Sequence, residues 1–201
     1  VQIWSMVMVM QMEDLVVEVL DMVVAAAVAV TMAAVLVAME MEVIMVVVVA
    51  MVPAGGATAV FCPTSNLFLG SGLFDLKRIK EHGVRTAIAT DIGGGSSYSL
   101  LRTLDEAYKI QQLRGHRLPP IENYWQATRG NAEALGLVER IGTLAPGSDA
   151  DIIALDARAT PAMQIRMETV QTLEEELFLM QTMGDDRSVR HVYVAGEAVK
   201  P

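Results

Sequence analysis

Asp91 closes a short run of β-favouring residues in TAIATDIGGG, residues 86–95, and three consecutive glycines follow it two positions later. An apolar strand that delivers a carboxylate at its C-terminal end, followed by backbone free to adopt positive φ, places an acid at the rim of an α/β sheet or barrel. There the carboxylate could ligate a divalent metal or take a proton from metal-bound water, and both tasks require a rigid support. The competing reading is an ordinary turn or cap acid. Spacing does not extend Asp91 into a full metal site. His82, His116 and His191 are separated by 34 and 75 residues, and no HxH, HxxE or HExxH occurs. Ser65, Ser71 and Ser96 could be nucleophiles, but no G-x-S-x-G elbow surrounds them. Cys62 precedes a proline with no cation nearby in sequence, which suits a buried small residue better than a thiolate. The glycines and serines of residues 93–99 look like a phosphate cradle, yet the Lys-Ser/Thr that should follow is absent.

The elements that must position Asp91 are legible on either side of it. Residues 57–62 predict a short strand ended by Pro63, Thr64, Ser65 and Asn66, where proline cannot continue a central ladder and the polar side chains hold a turn. Asn66 either orients a site loop or merely closes that turn. Residues 67–73 predict an apolar loop broken by Gly70 and Gly72. Asp75 then caps a helix over 76–81, Gly83 stops it, and residues 84–90 form the next strand. One α/β repeat is thereby in view. After it, Leu100, Leu101, Leu104, Ala107, Tyr108 and Leu113 recur at helical spacing as an amphipathic helix. Residues 121–129 predict a helix with Trp125 in the core, and 131–135 a further one ended by Gly136. Residues 150–155 predict a strand, 168–183 a helix with Leu173, Leu177, Leu179 and Met180 on its apolar side, and 189–199 a hairpin-like pair around AGEA.

Composition divides the chain. Residues 1–60 hold ten of the fourteen methionines and nineteen valines, with six acidic residues and no lysine or arginine. Beyond them the mixture of charges is ordinary. Three readings of the first part stay open. Residues 22–39, interrupted only by Thr31, could span a membrane, although basic flanks and aromatic anchors are missing. The segment could instead be buried elements of a parallel α/β core, or a sequence altered from its natural form, since it has almost no turn residues and no clear period. The net charge of −9 argues against nucleic acid or an anionic membrane as partner. A single cysteine excludes a disulfide within the chain and a thiolate zinc cluster, and is compatible with a reducing compartment.

The runs FCPTSNLFLGSGLFDLKRIKEHGVRTAIATDIGGGSSYSLLRTLDEAY, residues 61–108, and ATRGNAEALGLVERIGTLAPGSDADIIALD through VRHVYVAGEAVK closely resemble the guanine deaminase family of the metal-dependent amidohydrolase superfamily. The resemblance covers residues 60–201. It implies an α/β fold: the C-terminal part of a (β/α)8 barrel over 57–140 and a return to a small β-sandwich over 141–201, with 1–56 as an anomalous segment. It further implies that Asp91 closes barrel strand eight as a catalytic residue that contacts the metal and shuttles a proton of the hydrolytic water. The metal implied is one Zn2+ per site, with Fe2+ as the alternative. The substrate implied is a small-molecule purine, deaminated to xanthine and ammonia by a cytoplasmic homodimer. Family members also carry metal-binding histidines in an HxH and after strands five and six, and an arginine and aromatic segment that grips the base. These have no counterpart in the 201 residues, so the chain alone is expected to be inactive. Aminohydrolases of another purine, a pterin or a triazine would share Asp91 and the C-terminal motif, and a non-enzymatic fragment is the remaining alternative.

Overall fold

The computed structural model describes residues 58–200, and the readings of residues 1–56 above lie outside them. Two parallel strands form the first sheet: β1, Thr58–Phe61, and β2, Arg85–Ile88, in register from Thr58 opposite Arg85 to Phe61 opposite Ile88. The connection carries two short helices, α1 (Pro63–Leu69) and α2 (Leu76–Glu81). Helix α1 replaces the turn and apolar loop expected there. Pro63 occupies its first turn, where a missing N–H costs no helical hydrogen bond, and Gly70 ends it in the left-handed region with its N–H on Asn66 O. Helix α2 starts as expected, because the Asp75 side chain accepts from the Arg78 backbone N–H.

Helix α3, Leu100–Leu113, is capped by Ser99 and buries Leu101, Leu104, Ala107 and Ile110 along one face. That face packs with Phe61, Leu76, Ile88 and Leu118 into one core, joined at its edge by Phe74, whose ring stacks on Phe61 at 4.7 Å. Residues 120–134 run as α4 (Pro120–Trp125), a π-helical turn (Gln126–Gly130) and α5 (Asn131–Ala134), continuous where two separate helices were expected. Trp125 is 41% exposed rather than core. Its ring lies across Gly130, where a Cβ would stand 2.8 Å from Trp125 Cζ3, so the indole covers the π turn instead of entering the interior.

Strands β3 (Ile152–Leu155), β4 (Val189–Val194) and β5 (Glu197–Lys200) make an antiparallel sheet in the order β3-β4-β5. The β4–β5 hairpin turns at Ala195 and Gly196, with φ of 51° and 83°, as a tight two-residue connection requires. Between β3 and β4 the helix expected over 168–183 begins only at Leu173, as α7 (Leu173–Met183), and it is preceded by a short helix that was not expected, α6 (Pro161–Met167). The later start has a local cause: Thr172 and Glu175 form a reciprocal capping box at the N-terminus of α7. Met163, Leu179 and Met180 form a second core with Ala157, while Leu173 is exposed. The Tyr124 ring packs against both cores. The observed architecture is α/β, with a parallel and an antiparallel sheet fragment. Among the described residues no helix is long and apolar enough to cross a membrane.

Candidate functional site

Both parallel strands end at the same place, and the chain there is tied together by short-range contacts. Beyond β1, Cys62 leads into α1; beyond β2, Ala89 and Thr90 lead to Asp91. Ala89 N–H donates to Phe61 O at 3.1 Å, and Thr64 Oγ donates to Thr90 O at 3.1 Å, so the two strand ends are joined by backbone and side chain. Asp91 has φ of 48°, a left-handed conformation that aspartate tolerates better than most residues. Its carbonyl accepts from Gly94 N–H at 3.0 Å and Gly95 N–H at 2.6 Å, which folds the glycines back under the residue. A Cβ on Gly94 would lie 2.9 Å from Asp91 Oδ2 and 3.0 Å from Ser65 Oγ. The glycine therefore lets the carboxylate and the Ser65 hydroxyl approach one spot.

Asp91 itself is exposed, and Ser65 is buried in the first turn of α1. Burial pushes the Cys62 thiol up from its ordinary value, and the neighbouring Asp91 carboxylate adds to the shift. Both effects disfavour the thiolate, and the residue is half-buried rather than buried as its sequence context suggested. Asn66 Oδ1 is buried with no hydrogen-bond partner among the described residues, while its backbone carbonyl accepts from Gly70 and Ser71.

The histidines stay apart from Asp91. His82 follows α2 with its ring on Arg78 O at 2.7 Å, His116 lies 3.9 Å from Asp75, and His191 sits on β4 beside Tyr193. Among the described residues no group of three His, Cys, Asp or Glu side chains could hold a metal ion. One exposed carboxylate does not by itself fit zinc or iron, whose protein sites take three or four ligands.

The sequence profile of the Amidohydrolase family matches residues 11–199 of the chain. The chain belongs to the amidohydrolase family. Within it, the chain is similar to the guanine deaminase of Escherichia coli strain K12, with 48% identity over 139 residues, 69% of this chain and 32% of that protein. The solved structure of Escherichia coli guanine deaminase superposes with a TM-score of 0.73 at 44% identity, covering 75% of this chain and 35% of that one. Guanine deaminase from Bradyrhizobium japonicum matches with a TM-score of 0.65 at 36% identity, over 72% and 37% of the two chains. The chain thus spans about a third of the length of the relatives it matches. Two polar residues near the Asp91 strand escaped the sequence reading, Gln126 and Asn131. Their partners on β2 are backbone atoms forty or more positions away, and no local spacing announces such a contact.

Proposed function

We propose that the chain carries the rim carboxylate of a guanine deaminase site. In this reading residues 57–140 are the C-terminal strands and helices of a (β/α)8 barrel, and residues 141–201 belong to a small β-sandwich. The observation that supports it most is the place of Asp91: first residue of a glycine turn at the C-terminal end of a parallel strand, tied to the neighbouring strand's loop. The reaction is hydrolysis of guanine to xanthine and ammonia, in which water adds at the ring carbon bearing the amine and ammonia departs. Asp91 is suited to accept a proton from that water and return it to the leaving amine, because it is solvent-accessible and its backbone is held by two hydrogen bonds. Zinc, with iron as the alternative, and a cytoplasmic homodimer are carried by the family resemblance. The described residues do not supply a metal site, and no step is assigned to one.

The test is a chimera. Residues 58–200 replace the matching third of Escherichia coli guanine deaminase, with xanthine formation as the readout. The chimera is expected to turn over guanine, and Asp91→Asn within it to lower kcat by about a thousandfold. A folded Asp91→Asn chimera with undiminished kcat would overturn the assignment. The 201-residue chain by itself is expected to yield no xanthine above background and to retain less than one zinc per chain after dialysis.

A further inference from the structure

The outer edge of β2 is occupied, though no described strand pairs with it. In a parallel ladder alternate residues turn their backbone groups to opposite sides. Ala89 N–H points to β1, so the groups of Thr86 and Ile88 point away from it. On that far side Ile88 N–H donates to Asn131 Oδ1 at 2.8 Å, and Asn131 Nδ2 donates to Ile88 O at 2.9 Å. Gln126 Nε2 donates to Thr86 O at 2.7 Å, and Thr86 Oγ donates to Gln126 Oε1 at 3.3 Å. A primary amide offers a carbonyl and an N–H side by side, as the N–H and C=O of a single strand residue are offered. Asn131 exchanges both bonds with Ile88 as an opposed strand residue would.

The helix has the geometry for this. Successive turns rise about 5.4 Å, close to the roughly 6.6 Å between alternate residues of a strand. In a regular α-helix, however, positions five apart lie about 140° from each other around the axis. The π turn Gln126–Gly130 absorbs the extra residue and returns position 131 to the face of position 126. Gln126 and Ile88 are each 2% exposed, so these bonds form where water does not compete.

We propose that Gln126 and Asn131 form a surrogate strand that closes the far edge of β2, and that through β2 they are positioning residues for the Asp91 loop. β2 is gripped on both sides as far as Ile88, three residues before Asp91, and the loop beyond inherits its height and direction. The functional meaning of that position rests on the proposed deaminase reading. The edge closure and its coupling to the loop do not.

The experiment is residue-resolved amide hydrogen exchange on the full 201-residue chain, which needs no turnover. In the unsubstituted protein the amides of Ile88, Gly94 and Gly95 are expected to exchange slowly. Asn131→Ala is expected to speed exchange at all three by about tenfold or more, while Ala107 and Ile110 of α3 keep their rates. Asn131→Asp keeps an acceptor for Ile88 N–H and covers the case in which the alanine variant does not fold; it is expected to speed Gly94 and Gly95 in step with Ile88. Asn123→Ala is the control. That side chain bonds Leu104 O and Gln181, away from β2, and its loss is expected to leave the ratio of loop to α3 exchange unchanged. Unchanged Ile88 exchange in a folded Asn131→Ala variant would overturn the edge closure. Faster Ile88 exchange with Gly94 and Gly95 at their original rates would overturn the positioning role.

Discussion

Gly95 leaves no space for a side chain, since a Cβ there would run into Thr90 O and stand 2.9 Å from Thr64 Oγ1. Gly95→Ala is therefore expected to destabilise the chain by about 2 kcal/mol, read as a lowered urea midpoint. Asp75 gives a pH dependence whose sign follows from its partners. Partial burial opposes its charge, but the Arg78 N–H, the Arg114 guanidinium and His116 outweigh it and hold its carboxyl below the ordinary value. Its stabilising effect is then complete above about pH 4 and is lost as pH falls through the lower folded-state value. Asn is a good cap, so Asp75→Asn keeps the α2 N-terminus and loses only the ionic part. Stability of the variant is expected to change less steeply with pH below about pH 4 than that of the parent, as urea midpoints in that range would show. The Asp75 cap and the place of Asp91 beyond its strand were legible because their signal is local: a polar atom beside a helix start, and an acid beside glycines. Asn66 and Asn131 were not, because an amide's partner depends on what the fold brings to it.

Element type was mostly readable from period, whereas boundaries followed side-chain contacts that period does not record. The strand, helix, strand order around Asp91 is present, but Pro63 opens a helix where proline suggested only a strand's end. The helix expected over 168–183 starts only at Leu173, because the Thr172 capping box fixes its N-terminus there. Thr172→Ala removes half of the capping box and is expected to cost about 1 kcal/mol in thermal or urea unfolding. Helix α3 obeys its pattern closely. Ile110 on its buried face is 0% exposed, and Ile110→Ala is expected to cost about 3 kcal/mol through the cavity left beside Leu104 and Leu118.

At the scale of the molecule, the described residues hold two cores with Tyr124 packed against both, and burial pushes its hydroxyl, which has no hydrogen-bond partner among the described residues, well above the ordinary phenol value. The family was legible from the motifs that surround these cores, and the separate antiparallel sheet was legible from its spacing. A complete catalytic constellation was not, because the histidines in this sequence serve a helix end, an aspartate and a strand. The amide seal on β2 also limits how copies of this chain can meet. The parallel sheet keeps one edge that no described strand or amide ladder takes, that of β1, where Val60 is 49% exposed. Among the described residues, the outer edge of β1 is therefore the place in this sheet where a further strand can add.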